Sequence, residues 1–257
     1  WVDARFDRAA TYFQLRTTNE ALVQQNEKLL NGQQQNLMVL DSSSQLRQDT
    51  IQVDSAWVKR QYVWRSAKVV SNTVSLPNNF ITLQRGEDLG VRKEMGVIGP
   101  NGIVGTVVAT SKNYSVVMSL LHRQSRTSGK LKKTNDLGTV LWDGVSPFYL
   151  TMTNLPKSVP VKVGDTVVTS QYSYLFPNGI TIGKVDEIIN DPSSNFFTLR
   201  LRPATDFFKL EYAYVVENLQ KDEQKKLEEF LESIDLKKVE KFLKLRKEKL
   251  HLKLVLR

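Results

Sequence analysis

Two histidines, His122 and His251, are the whole imidazole supply of this 257-residue chain, and it contains no cysteine. Thiolate nucleophiles, thiolate zinc sites and disulfides are thereby removed together. His122, Asp136 or Asp143, and Ser170 do follow the His, Asp, Ser order of one class of serine protease, a chemistry that small antiparallel barrels can carry. A serine nucleophile also needs oxyanion donors beside it, commonly supplied through flanking glycines, yet Ser170 stands between Thr169 and Gln171. No residue is therefore assigned a catalytic role. His122, next to Arg123, is expected at a surface strand end, where the neighbouring cation disfavours the imidazolium.

Metal binding would need several carboxylates or imidazoles converging, whereas Glu87-Asp88, Asp186-Glu187 and Asp191 are scattered through turn and strand-end contexts. Gly99-Pro100-Asn101-Gly102 lacks the lysine and the strand-to-helix setting of a phosphate loop. No cofactor and no metal are expected. The net charge of +9 is unevenly spread, because residues 220–257 hold 12 basic and 8 acidic side chains. The rest is only mildly basic, and its aromatics recur at strand-like spacing rather than along a basic stripe, so a nucleic-acid partner is not expected.

What remains distinctive is aromatic. Gln171-Tyr172-Ser173-Tyr174-Leu175-Phe176 alternates rings, and Phe148-Tyr149, Phe196-Phe197 and Phe207-Phe208 are adjacent pairs. Neighbouring residues of a regular strand face opposite sides, so some of these rings must point outward. Tyr172, Tyr174, Leu175 and Phe176 are the expected partner-binding surface, since exposed aromatics give rigid contact area.

Positioning these groups falls to two kinds of element. Residues 1–36 contain no proline, and Asn19-Glu20-Ala21-Leu22 is echoed seven residues later by Asn26-Glu27-Lys28-Leu29. With Leu15, Leu22 and Leu29 at the d positions, Asn19 and Asn26 fall at a, a pattern that favours a two-stranded parallel coil in a single register. These five residues are the predicted dimerisation seam. From about Ser66 the texture changes to about a dozen short β-branched runs separated by turn residues, which reads as antiparallel β structure. So many short strands split more readily into two barrels of about six than they form one sheet.

An internal echo supports the split. Pro100-Asn101-Gly102 precedes Gly105, and Pro177-Asn178-Gly179 precedes Gly183. In both copies proline fixes φ at a corner, Asn or Gly accepts positive φ, and the later glycine permits a bulge or a close backbone approach. Together with Gly99 these are the expected structural turns. The predicted architecture is mainly β: a coiled-coil helix over 1–36, an entry linker over 37–65, six-stranded antiparallel barrels over 66–120 and 121–218, and a charged helical tail over 219–257. The uncharged window Met95 to Ser111 is broken by four glycines and a proline and is no membrane span.

Gly96-Val97-Ile98-Gly99-Pro100-Asn101-Gly102-Ile103-Val104-Gly105-Thr106-Val107, Val163-Gly164-Asp165-Thr166-Val167-Val168-Thr169-Ser170 and Phe176-Pro177-Asn178-Gly179-Ile180 resemble the rod shape-determining protein MreC family. Arg202-Pro203-Ala204-Thr205-Asp206-Phe207 is similar to the start of that family's closing stretch. Gln171 departs from the pattern, which has glycine there. The resemblance implies an extracytoplasmic, non-enzymatic scaffold of the cell-wall elongation machinery, held in the inner membrane by an anchor helix expected upstream of Trp1. It also implies homodimers, filaments, and contacts with a class B penicillin-binding transpeptidase, MreD and MreB. The alternative is a periplasmic adaptor of an export system, which would need two helical arms flanking a lipoyl-like domain. Beyond the resemblance, Leu227, Phe230, Ile234, Val239 and Phe242 give the tail helical apolar spacing, and its basic end would suit anionic lipid.

Overall fold

The computed structural model describes residues 3–33, 37–39, 50–53, 56–227 and 229–230. An unbroken helix, α1, runs from Asp3 to Gly32, ending where glycine raises the cost of continuing. The expected linker is more structured than its composition suggests. β1 (Leu37–Val39), β2 (Thr50–Val53) and β3 (Ala56–Arg60) form a small antiparallel sheet in the order β1-β3-β2.

The first barrel begins earlier than predicted, at β4 (Tyr62–Asn72), and continues through β5 (Asn78–Leu83), β6 (Gly96–Ile98), β7 (Ile103–Thr110) and β8 (Ser115–His122). The chain then builds the second barrel from β9 (Arg126–Leu131), β10 (Leu137–Leu141), β11 (Leu150–Pro156), β12 (Thr166–Thr169), β13 (Thr181–Ile189) and β14 (Phe196–Pro203). It returns to close the first with β15 (Tyr212–Asn218). Strand order is β15-β4-β5-β8-β7-β6 in one closed barrel and β10-β11-β14-β13-β12-β9 in the other. The predicted boundaries 66–120 and 121–218 are corrected accordingly, because β15 pairs with β4 from Tyr212↔Lys68 to Asn218↔Tyr62 and so belongs to the first barrel. The second barrel is thus an insertion between strands of the first.

Burial follows the strand period. β5 and β9 alternate outward and inward along their length. Ile81, Leu83, Val97, Val107, Val117 and Val215 fill the first barrel, while Leu131, Leu150, Met152, Val167, Leu199 and Leu201 fill the second. Closure at this small radius brings backbones close. A Cβ on Gly105 would lie 2.1 Å from the carbonyl oxygen of Met118, so only glycine fits between β6 and β8. Gly105→Val is expected to lower unfolding free energy by about 3 kcal/mol or more, measured by urea denaturation.

Residues 221–227 and 229–230 form a separate helical segment with Leu227 and Phe230 exposed. Ile234, Val239, Phe242 and the basic end of the tail lie outside the described residues.

Candidate functional site

The second barrel is held against the first by a small set of close contacts. Phe176 is buried at 1% exposure, with its ring against Gly96 of β6: a Cβ there would lie 2.8 Å from the ring and 2.4 Å from the Leu175 carbonyl oxygen. Gly102, from the first Pro-Asn-Gly turn, meets the backbone of Thr181 at the start of β13, where a Cβ would be 2.5 Å from the carbonyl oxygen. Thr205 Oγ1 donates to the Ile103 carbonyl at 2.9 Å, and Asn218 Nδ2 donates to the Tyr174 carbonyl at 3.1 Å. Gly179 of the second turn adopts φ +89°, the left-handed conformation glycine favours. The two turns anticipated from sequence therefore meet at one junction. Gly99, Pro100, Asn101, Gly102 and Gly179 line a groove of about 800 Å³ beside α1. Gly183 sits where β13 and β14 approach, a Cβ there being 2.4 Å from the Arg202 carbonyl oxygen. Gln171 needs no left-handed backbone, since it is absent from the positive-φ residues; its side-chain oxygen accepts from Lys130 Nζ at 3.2 Å.

This junction corrects the expected partner surface. Phe176 is core, and Leu175 packs partly against it, because the 171–179 loop turns inward to join the barrels. Tyr174 is half-buried, leaving Tyr172, 64% exposed, as the open ring of the loop. Phe207 and Phe208 lie in a short 3-10 turn (Phe207–Lys209) rather than a strand, and they divide there: Phe207 is buried, while Phe208 is exposed and stacks on exposed Phe148 with centroids 5.3 Å apart. Tyr149 lies under the Arg200 guanidinium at 4.6 Å, and Arg200 also pairs with Asp186 and Glu187.

On α1 the predicted seam flanks the docking face: Asn19, Leu22, Asn26 and Leu29 line the groove beside the first barrel, yet they keep much of their surface in solvent. Leu15, Leu22 and Leu29 are 64%, 51% and 60% exposed, and Asn19 and Asn26 are exposed with them. The docking face is a different one, made by Glu20, Val23, Glu27, Leu30 and Asn31 at helical spacing. Glu27 and Asn31 were not anticipated: each hydrogen-bonds the backbone of β4, and nothing in their spacing marks a polar residue as a backbone ligand. Burial pushes the Tyr214 phenol up, with a hydrogen bond to Asn26 opposing the shift.

The protease-like residues do not assemble. His122 is not at the surface but buried, its Nδ1 accepting from Gln124 N at 3.0 Å and its ring edge-on to Phe80 at 4.9 Å. Burial, rather than the Arg123 charge, holds its imidazole below the ordinary range. Ser170 lies in the other barrel, fully buried, its Oγ 2.8 Å from Ser128 Oγ. Ser170→Ala is expected to cost about 1–2 kcal/mol in stability by orphaning Ser128, with no change in the hydrolysis of ester or peptide substrates. Among the described residues no group of three or more His, Asp or Glu is placed to hold a metal. Asp191, as an example, is engaged by Ser193, whose hydroxyl and N–H hold its carboxyl below the usual range.

A sequence profile described as "Rod shape-determining protein MreC, barrel core" matches residues 69–217. The chain belongs to the MreC family. The MreC of Listeria monocytogenes, described as a cell shape-determining protein, is 27% identical over 218 residues, covering 84% of this chain and 72% of the relative. MreC of Escherichia coli is 26% identical over 149 residues, which is 56% of this chain but only 40% of that protein. The solved Listeria MreC structure aligns at TM-score 0.58 and 24% identity over 82% of this chain and 93% of that one, a likeness of fold. The matched profile includes β15, in keeping with a barrel core that opens and closes on the same barrel. Assignment to this cell shape-determining family displaces the export-adaptor alternative.

Proposed function

We propose that this MreC-family chain is a non-enzymatic, extracytoplasmic scaffold of cell-wall elongation that dimerises through α1 and binds and activates a class B penicillin-binding transpeptidase. Membership of a rod shape-determining family, matched over residues 69–217, carries this reading. Its physical support is a frame in which two closed barrels are locked at one junction and the leucine seam of α1 is left open. Rigid barrels present surface without the entropy cost of ordering it on binding. Tyr172, Phe148 and Phe208 are the exposed rings that would supply contact area, and Leu15, Asn19, Leu22, Asn26 and Leu29 the dimer seam. An anchor helix, filaments, MreD and MreB belong to the same reading.

A family member from Helicobacter pylori is described in complex with penicillin-binding protein PBP2; its likeness to this chain, at TM-score 0.48, is too remote to place that contact here. A scaffold shifts a partner's conformational equilibrium only by its difference in affinity for the two states. Titrating the purified chain against the cognate transpeptidase, with peptide cross-linking as readout, is expected to give a saturable rise in rate. A rate independent of the chain would reject activation.

A further inference from the structure

β4 has different neighbours along its two halves. On one side β15 pairs with it from Tyr62 to Lys68; on the other β5 pairs with it only from Val69 to Asn72. The backbone groups of Trp64 and Ser66 that point away from β15 therefore have no strand beside them. Side chains take its place. Asn31 uses both ends of its carboxamide on Trp64: Nδ2 donates to the Trp64 carbonyl at 2.9 Å, and to the Glu27 carbonyl of its own helix at 3.0 Å, while Oδ1 accepts from Trp64 N at 2.9 Å. One helical turn earlier, Glu27 accepts from Ser66 N at 2.9 Å and from the Ser66 hydroxyl, while Arg85 donates to the Ser66 carbonyl at 2.5 Å.

The spacing explains the match. Residues i and i+4 of a helix stand about 5–6 Å apart, close to the roughly 6.6 Å between alternate residues of a strand. Glu27 and Asn31 can thus serve Ser66 and Trp64 in turn, as an adjoining strand would. The apolar part of the contact is small, Val23 being the one buried residue of α1 among those whose side chains are described. Hydrogen bonds that water can replace, with little apolar area behind them, make a reversible contact.

We propose that α1 is a releasable cover over a strand edge: Glu27 and Asn31 hold it on Trp64 and Ser66, and its lifting opens that edge and frees the barrels from the helix while both barrels stay folded. Native-state hydrogen exchange of the full chain tests this. The amides of Trp64 and Ser66 are expected to exchange at least tenfold faster than those of Val63 and Arg65, which face β15. Glu27→Ala with Asn31→Ala should raise exchange at Trp64 and Ser66 at least tenfold further and leave Val63 and Arg65 unchanged. Leu22→Ala with Leu29→Ala, which flank the polar pair along the same groove, should alter none of the four. Equal exchange of all four amides in the unaltered chain overturns the proposal, as does a parallel rise of all four in the Glu27 and Asn31 variant. A rise at Trp64 and Ser66 caused by the leucine substitutions also overturns it, because the seam rather than the polar pair would then hold the helix.

Discussion

Phe176→Ala lowers the unfolding free energy by about 3–5 kcal/mol, and Tyr172→Ala, four residues away in the same loop, changes it by less than about 0.5 kcal/mol. The contrast follows from where the rings go. Phe176 is 1% exposed and fills the space that the missing side chain of Gly96 leaves in β6, so truncation leaves a cavity between two barrels that cannot collapse around it. Tyr172 is 64% exposed and loses only solvent-facing area. Partner affinity should move the other way, with Tyr172→Ala weakening transpeptidase binding while the fold is intact. Urea denaturation alongside a binding titration separates the two. Comparable destabilisation by both substitutions would place Tyr172 in the junction as well.

The second large effect concerns the seam. Leu22→Lys with Leu29→Lys is expected to convert a dimer into a monomer at tens of micromolar chain, by light scattering over a concentration series, with the barrel transition shifted by less than about 1 kcal/mol. Both leucines lie on the exposed face of α1, more than half accessible, so lysine meets water in the single chain and meets another apolar seam only in the pair. Charge placed at d positions repels its own copy across a parallel coil. An unaltered dimer in this variant would move the interface to the barrels. Loss of barrel stability together with the dimer would mean that the two faces of α1 are not independent.

Strand number and the Pro-Asn-Gly corners were legible because they are local: proline sets φ, glycine accepts +89° at position 179, and alternate burial follows the pleat. That β15 closes the first barrel was not legible, since its pairing with β4 spans about 150 residues and leaves no trace in either strand's composition. The aromatic loop was misread for a related reason. Tyr172 and Phe176 share one parity, and strand logic would put them on one face, but 171–179 is a loop and its backbone turns Phe176 inward. The burial of His122 has no local signal, since a neighbouring arginine resembles a strand end in water and the ring of Phe80 that covers it comes from β5, some forty residues earlier. Glu27 and Asn31 looked like ordinary solvated helix residues, and only the gap left by short β5 gives them backbone to bind.

The most direct test of the scaffold account is the mass of the complex, measured by light scattering on a column loaded with this chain and the extracytoplasmic part of its cognate class B transpeptidase. The account predicts one species containing two copies of each, reduced to one of each by Leu22→Lys with Leu29→Lys. Two unshifted, separate masses at tens of micromolar would contradict it.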